Sequence, residues 1–284
     1  MTQKTIVGLH PSIRDDIADL VTRRPLPGPR VPQVDPFLFL NHHGPQVYRP
    51  DNNGLPFEPH PHRGFETVTF ILDGELMHRD SAGHESVIRA GGVQWMTAGA
   101  GVVHAELSPA AFKKTGGPLE LLQLWVNLPA RLKMTPPRYQ GLQAAEIPVV
   151  ATQGGKVQVI AGEWGGAIGP ATSITHSFMS TASLDSGARI DFDGLSGRSV
   201  FLYIISGAVR INGRDVAQHH LVELDTQGDR VAIEAITGAR LVFGHGEPIA
   251  EPVASYGPFV MNTADEIRQA IVDYQAGRMG VVAG

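Results

Sequence analysis

Short apolar runs separated by turn residues dominate this sequence. Between residues 64 and 128 these runs recur every few residues, and the first of them, 65–72, ends at Asp73-Gly74, a dipeptide typical of tight β-hairpins. Gly91-Gly92 marks a later break of the same kind. Closely spaced runs without helical segments between them favour strands over helices. The pattern therefore predicts an all-β sandwich or barrel.

A second series of short apolar runs begins near residue 155 and resembles the first. Ile205-Ser206-Gly207-Ala208 echoes Leu72-Asp73-Gly74-Glu75 at the centre of each series. The strands predicted in this second series are 157–161, 173–180, 188–192, 199–205, 208–211, 220–224, 230–235 and 239–244. The echo predicts a weak internal repeat of one β-fold. Prolines interrupt residues 130–156, so we expect an N-terminal domain over 1–140 and a C-terminal domain over 141–284.

The C-terminal tail changes to helical spacing. Thr263-Ala264-Asp265-Glu266 has the form of a capping box, in which the side chains of the first and last residues cap a helix. Ile267, Ala270, Ile271 and Tyr274 then follow at the spacing of one helix face. These features predict one C-terminal helix that ends near Gly277 and serves as a packing element.

Composition excludes several classes of function. The 284 residues include no cysteine, which rules out disulfides, thiolate metal sites and cysteine nucleophiles. The formal net charge is −5 and no basic stripe is present, so direct binding of nucleic acid is not expected. No run approaches 18 apolar residues and the start has no signal-peptide pattern, so we expect a soluble, cytoplasmic protein without a membrane span.

The candidate chemistry lies in two pairs of polar residues. His60 and His62 form one pair, and His104 and Glu106 form the other. Residues two apart on a strand project from the same face, so two such pairs on facing strands would bring three imidazoles and one carboxylate together. That donor set suits a divalent transition metal and leaves two positions open on a six-coordinate ion. A lone His-x-His is more often a surface or core pair, but the second pair some forty residues on favours a metal site.

Several stretches of the sequence resemble the pirin family. The string His60-Pro-His-Arg-Gly-Phe-Glu-Thr-Val resembles the first cupin motif, and the segment 94–106 resembles the second motif in its pirin form. The segments 122–128, 246–252 and 257–263 are also pirin-like. With these blocks the resemblance extends over residues 35–280, nearly the whole chain.

The resemblance implies a bicupin, in which two cupin barrels of the double-stranded β-helix (jelly-roll) type lie face to face with a C-terminal helix. It also implies one mononuclear metal in the N-terminal barrel, held by His60, His62, His104 and Glu106. In the wider cupins the glutamate of the first motif, here Glu66, is a ligand, whereas in pirins it is not thought to coordinate. Iron is the usual metal of the family, so Fe(II) is expected, although the donor set alone also permits Mn, Co, Ni, Cu or Zn. The second series contains no His-x-His, so the C-terminal barrel is expected to lack metal.

Bacterial pirins resemble quercetin 2,3-dioxygenases in their site. That likeness implies oxidative ring cleavage of a flavonol by dioxygen with release of carbon monoxide, and it gives Glu106 the further role of accepting the substrate's 3-hydroxyl proton. A small aromatic substrate would need apolar walls. The residues expected to supply these walls are Phe39, Phe57, Trp95 and Met96. His42 and His43 would line the mouth of the pocket, support the metal ligands from behind, or lie in an exposed loop.

Two other readings of the same site stay open. One is a non-enzymatic regulator of transcription or metabolism that binds a protein partner, with the metal acting as a redox or structural switch. The other keeps the cupin but changes the reaction to isomerisation or another oxygenation, because a fold does not fix a function. Turnover of a planar three-ring substrate discriminates among them.

Overall fold

A computed structural model of the chain describes residues 2–282. Antiparallel strands make up most of it. The strands up to residue 142 are β1 (Ile6–Pro11), β2 (Ile13–Arg14), β3 (Thr22–Leu26), β4 (Phe37–Tyr48), β5 (Phe57–His62), β6 (Phe65–Asp73), β7 (Glu75–Asp80), β8 (Glu85–Arg89), β9 (Val93–Thr97), β10 (Val102–Leu107), β11 (Gly117–Asn127) and β12 (Arg138–Leu142).

The remaining strands belong mostly to the second series. They are β13 (Val149–Thr152), β14 (Gly155–Ala161), β15 (Glu163–Trp164), β16 (Ala167–Ile168), β17 (Phe178–Leu184), β18 (Arg189–Phe192), β19 (Ser199–Ser206), β20 (Ala208–Ile211), β21 (Arg214–Ala217), β22 (His220–Leu224), β23 (Val231–Ala235), β24 (Ala239–Gly246), β25 (Ala254–Tyr256) and β26 (Phe259–Met261). The helices are α1 (Ala110–Thr115) and α2 (Ala264–Gln275), with single 3-10 turns at Ala130–Leu132 and Ala144–Glu146. Among the described residues, no helix is long and apolar enough to cross a membrane.

The strands form two cupin barrels with one strand order. The N-terminal barrel has a large sheet in the order β12-β9-β6-β11-β4-β3-β2 and a small sheet in the order β5-β10-β7-β8. The C-terminal barrel has the orders β1-β22-β19-β24-β17-β14-β13 and β18-β23-β20-β21. The run β9-β6-β11-β4 thus matches β22-β19-β24-β17, and the two small sheets match strand for strand. The predicted repeat is therefore present in the topology, and the predicted all-β class is confirmed.

An irregularity of pairing repeats at the same place in both barrels. On β6, Asp73 pairs with Glu120 and Ile71 with the next residue, Leu121, so one residue of β6 is left over. On β19, Ser206 pairs with Arg240 and Ile204 with Leu241, which leaves over the corresponding residue. Both irregularities lie just before the Asp73-Gly74 and Ser206-Gly207 turns. The shared defect lets individual positions of the two barrels be matched.

The chain divides into compact units differently from the predicted cut at residue 140. One unit joins the first strand and residues 24–38 to residues 145–248, and the other joins residues 14–23 and 39–144 to the segment from Ile249 onward. The first strand leaves the predicted 1–140 domain because β1 pairs with β22. The C-terminal helix leaves the predicted 141–284 domain because Ile267 and Ala270 bury their side chains in a cluster with Val103 of β10.

Local signals in the sequence explain several element ends. Gly74 adopts φ +78°, as the Asp73-Gly74 turn requires. The capping box is present, since Thr263 caps the backbone N–H of Glu266 and the Glu266 side chain accepts from the Thr263 backbone. The predicted strand 173–180 is wrong in its first half, because the Ser173 hydroxyl accepts a hydrogen bond from the backbone N–H of Ser177 and folds this stretch into a turn.

Candidate metal centre

The two predicted ligand strands, β5 and β10, are neighbours in the small sheet of the N-terminal barrel. Their antiparallel register places His60 directly opposite His104 and His62 opposite Val102. Sharp turns precede β10, where Gly99 adopts φ +49° and its ideal Cβ would lie 1.9 Å from a backbone oxygen. Only glycine fits such a position, so Gly99 permits the tight turn before β10.

Three histidines converge at this point of the barrel. One donor atom from each of His60, His62 and His104 lies within 4.8 Å of the other two. The ring centroids are 4.5 Å apart for His60 and His104 and 4.9 Å apart for His62 and His104. Over residues 2–282 this is the one group of three or more such side chains with donor atoms this close.

Backbone carbonyls hold two of these rings in the tautomer that a metal needs. The Nδ1 atom of His60 lies 2.7 Å from the carbonyl oxygen of Glu58, and that of His62 lies 3.3 Å from the carbonyl oxygen of Pro258. Because a carbonyl only accepts hydrogen bonds, Nδ1 carries the proton and the lone pair is left on Nε2. Metal-binding histidines are typically anchored in this way.

The third ring has no partner of its own. Both ring nitrogens of His104 are buried and make no hydrogen bond. Burial, together with the neighbouring histidines, lowers the pKa of His104 well below its usual value, and burial lowers the pKa of His62 to about 3. Coordination by imidazole needs ring nitrogens that lie close together and are free of protons and other partners, and His62 and His104 meet these conditions beside His60. The residues present fit a divalent transition metal.

The fourth predicted ligand lies apart from the three donors. The register of β10 against β5 shifts between His104 and Glu106 because β5 has an extra residue there, whereas β10 pairs with β7 without a shift. The Glu106 carboxylate accepts hydrogen bonds from the Thr69 hydroxyl at 3.0 Å and from the side-chain amide of Gln123. It is 3% exposed. The two-residue alternation places Glu106 on the His104 face of β10, but its carboxylate is held by Thr69 and Gln123 and is not in the group of three close donors.

Glu66, left out of the predicted ligand set, faces away from the histidines. It is fully buried and accepts a hydrogen bond from the Thr97 hydroxyl at 2.6 Å, while its Oε2 atom has no partner. Burial raises the pKa of this carboxyl to about 7. On β6, Thr69 points to Glu106, and Glu66 is an odd number of residues away and therefore on the opposite face of the sheet.

Three of the predicted wall residues lie on the site's side of the barrel. Phe39 stacks on Trp125 with a centroid distance of 4.6 Å, and Trp125 lies 5.3 Å from the ring of His62. Phe57 pairs directly with Glu106 across β5 and β10. Met96 pairs with Thr67, whose side chain shares the face of Thr69.

The remaining predicted pocket residues are Trp95, His42 and His43, and all three are buried. Trp95 is adjacent to Met96 on β9, so its fully buried side chain lies on the opposite face of the sheet and does not line the site. His42 is also fully buried and bonds Glu120 at 3.0 Å. His43 contacts the ring of Phe57 at 5.3 Å and bonds the Thr22 hydroxyl. Neither histidine lies in an exposed loop.

A second polar group beside the histidines escaped the sequence reasoning. His78, 1% exposed, bonds the Asp80 carboxylate at 3.0 Å and stacks on Tyr139 at a centroid distance of 4.0 Å. Its ring centroid lies 5.5 Å from that of His104. Burial alone would raise the pKa of Asp80, but hydrogen bonds from His78 and His84 outweigh it and hold that pKa at about 2. The spacing His78-x-Asp80 on β7 repeats the His60-x-His62 spacing and could have identified this pair.

Trp125 and Gln123 were also missed as site residues. Both lie on the inward face of β11, where they read from sequence as part of an ordinary apolar strand. The indole Nε1 of Trp125 is buried without a hydrogen-bond partner. No local sequence signal distinguishes these side chains, because their role depends on which face of β11 turns toward the histidines.

Both halves of the chain are similar to known proteins. Residues 19–126 match the family model described as Pirin, and residues 179–280 match the one described as Pirin C-terminal cupin domain. A Pseudomonas aeruginosa protein named as a candidate quercetin 2,3-dioxygenase is 41% identical over 249 residues, which is 86% of each chain. Human pirin is 40% identical over 267 residues, covering 91% of this chain and 87% of its own.

Solved structures show the same fold. A quercetin 2,3-dioxygenase from Acinetobacter baumannii superposes with a TM-score of 0.91 at 35% identity, over 99% of this chain and all of its own. A bacterial pirin from Escherichia coli, solved in complex with nickel(II), superposes with a TM-score of 0.66 at 21% identity, over 85% of this chain and 99% of its own. That second likeness shows the fold alone.

Proposed function

This chain belongs to the pirin family, and on that premise we propose that it is a metal-dependent dioxygenase that opens the central ring of a flavonol-like substrate and releases carbon monoxide. The observation that carries the proposal is the convergence of three imidazoles, two anchored by backbone carbonyls and one without a hydrogen-bond partner. The names of the relatives in Pseudomonas and Acinetobacter support the reaction class.

We propose that the ion is Fe(II), held by His60, His62 and His104 with Glu106 as the fourth ligand. When bound, such an ion makes a coordinated hydroxyl more acidic and provides the redox-active centre for reaction with dioxygen. The donor set equally permits Mn, Co, Ni, Cu or Zn. The choice of iron follows the family resemblance.

Glu106 is proposed to accept the proton of the substrate's 3-hydroxyl. Hydrogen bonds from Thr69 and Gln123 reach both carboxylate oxygens and fix the orientation of the carboxylate. The carboxylate is buried, so the transferred proton is kept from bulk water while the ring is opened. Thr69 and Gln123 then orient Glu106 and do not themselves exchange protons with the substrate.

The aromatic wall offers a planar surface beside the ligands. Trp125 is stacked between Phe39 and Phe65, with centroid distances of 4.6 and 4.3 Å, and lies against the ring of His62. A flat three-ring substrate can bury its faces against such side chains. The unpaired Trp125 Nε1 is a free donor for a substrate oxygen.

The setting proposed for this chemistry is the cytoplasm, with dioxygen and a small aromatic molecule as reactants. The support is chemical: a chain without cysteine needs no oxidising compartment to fold.

An aerobic turnover assay tests the proposed function. The metal content of the purified protein is measured, the protein is reloaded with Fe(II), and quercetin absorbance and carbon monoxide are followed together. His104→Ala is the site variant, and His220→Ala, outside the three-histidine group, is the matched control. We expect metal-dependent decay with carbon monoxide in the wild type and the control and none in His104→Ala. Full metal occupancy without turnover of several flavonols would contradict the enzyme proposal and favour a binding or switching role.

A further inference from the structure

A C-terminal segment, residues 257–279, lies directly behind one of the three histidines; we call it the C-terminal strap. The Pro258 carbonyl that accepts from His62 Nδ1 also accepts from the backbone N–H of Arg63, at 3.4 Å. The backbone N–H of Val260 in turn donates to the Arg63 carbonyl at 3.0 Å. The strap backbone therefore pairs with Arg63, the residue that directly follows the ligand strand β5.

A buried ion pair fastens the helix of the strap to the same place. Arg63 is 5% exposed, and its Nη1 lies 2.8 Å from Oδ2 of Asp273 on α2. Its Nε donates to the carbonyl of Ala100, at 2.7 Å, in the turn that leads into β10. One guanidinium thus links α2 to the segments beside both ligand strands, and its fixed planar geometry makes that link directional.

A buried lysine makes a second attachment. The Lys133 ammonium, 1% exposed, donates to the carbonyls of Gly64 and Val260, at 2.9 and 3.0 Å, and to the Asn127 side chain at 2.7 Å. Gly64 has φ +89°, and a Cβ there would lie 1.9 Å from the Val260 oxygen. The strap backbone therefore lies so close to the turn after His62 that only glycine fits at position 64.

The apolar side of the strap packs behind the other ligand strand. Phe259, Met261, Ile267, Ala270 and Met279 form one cluster with Val103. Val103 is the residue immediately before His104, so strap packing supports the β10 backbone at the third histidine.

We propose that the C-terminal strap is a positioning element of the metal centre, with Asp273 and Lys133 as positioning residues that hold the Pro258 carbonyl against His62 Nδ1. This carbonyl fixes the orientation of the ring and keeps Nε2 unprotonated toward the other two histidines. The inference rests on the metal centre proposed above. Loss of partners that orient a metal ligand in this way typically weakens metal affinity about 10-fold to 100-fold.

The test compares Asp273→Asn and Lys133→Met with the wild type and with Asp265→Asn. Asp265 lies on the same helix but pairs with Arg268 at the surface, so its variant is a matched change of charge away from the site. Three quantities are measured: the dissociation constant of Co(II), the absorption spectrum of the Co(II) protein, and the nitrogen NMR shifts of the His62 ring in the metal-free protein. We expect about 10-fold to 100-fold weaker Co(II) binding and a changed spectrum in both site variants, with Asp265→Asn like the wild type.

The NMR readout needs neither metal nor variant, so it keeps the inference open to refutation even if a variant unfolds. The wild type is expected to carry the proton on Nδ1 of His62, and a proton on Nε2 would overturn the proposal. Unchanged Co(II) affinity and unchanged His62 shifts in the folded variants would also overturn it. A wild type that binds no Co(II) but has the Nδ1–H tautomer would instead contradict the proposed metal centre while supporting the hold of the strap on the His62 ring.

Discussion

The two barrels share a strand order but fill their interiors with opposite chemistry. In the N-terminal barrel His60 faces His104 across β5 and β10, whereas at the matching place in the C-terminal barrel Ile190 faces Ile233. The same strand match makes Phe192 the counterpart of His62, Ala235 of Glu106, Val209 of His78 and Ile211 of Asp80. The polar residues around the site thus have apolar counterparts in the other barrel.

The surrounding positions follow the same rule. Gln123 and Thr69, which hold Glu106, correspond to Phe243 and Leu202. In the C-terminal barrel Phe243 stacks on Phe192 with a centroid distance of 3.7 Å, so aromatic packing fills the place of the hydrogen bonds. A barrel with this strand order therefore folds without histidines at these positions, as the C-terminal barrel does. Buried polar groups reduce stability, and a site that retains them has a use for them.

The largest effect is expected when the N-terminal barrel receives the isoleucine pair that the C-terminal barrel has in place of His60 and His104. In the double variant His60→Ile with His104→Ile we expect total loss of metal binding, because two of the three histidine ligands are removed. The metal-free protein should gain about 1–3 kcal/mol in free energy of unfolding, since the unpaired buried imidazole of His104 is replaced by an apolar side chain. Metal analysis and urea unfolding measure the two effects; a less stable variant would contradict the view that function maintains the polar interior.

Glu106→Gln tests the carboxylate that Ala235 replaces in the other barrel. If Glu106 is the base, turnover should fall about 100-fold to 10,000-fold, while metal retention changes much less. Steady-state kinetics at equal metal occupancy, with Glu247→Gln at the surface as control, separate the two quantities. Equal loss of metal and turnover would leave Glu106 as a ligand only.

Glu66→Gln extends the comparison of the two barrels to the face of β6 that points away from the histidines. The residue that corresponds to Glu66 in the C-terminal barrel is Ser199. Because burial raises the pKa of Glu66 from 4.5 to about 7, the folded state holds a proton that the unfolded state has released between these pH values. Stability should therefore fall as pH rises from 4.5 to 7 and then level off. The variant should remove this slope and be more stable by about 3 kcal/mol at pH 8, with no difference at pH 4. The free energy of unfolding of both proteins is measured from pH 4 to pH 8. A difference between them that does not change with pH would show that the Glu66 carboxyl is not held neutral.

Trp125→Phe has the smallest expected effect and tests the wall beside His62. The ring stack with Phe39 is kept, but the unpaired indole N–H is lost. We expect KM for the flavonol to rise about 10-fold with little change in kcat, as for loss of one hydrogen bond to a bound ligand. An unchanged KM would show that the indole nitrogen does not contact the substrate.

Local patterns predicted the barrels well because strand, turn and cap signals are short-range. The Asp73-Gly74 hairpin and the Thr263 capping box need only neighbouring residues. The three histidines were also identifiable, since residues two apart on a strand share a face. Trp95 was misplaced because its face depends on the register of β9 against β6, which composition does not reveal.

Long-range partners were beyond the reach of the pattern. The exchange of terminal segments between the two units depends on β1 pairing with β22, about two hundred residues away. The Pro258 carbonyl behind His62 is equally remote in sequence and, as a backbone group, leaves no mark in residue type. The shift of register at Glu106 comes from an extra residue on β5, at Glu58-Pro59, and whether a proline marks a bulge depends on the pairing with a strand some forty residues away.

The most direct test of the central claim is the ratio of metal to protein after reconstitution with Fe(II) and removal of free metal. We predict one ion per chain in the wild type and none in the double variant His60→Ile with His104→Ile, with both proteins folded. Retention of the ion by the folded double variant would place the metal elsewhere and contradict the assignment of the three-histidine centre.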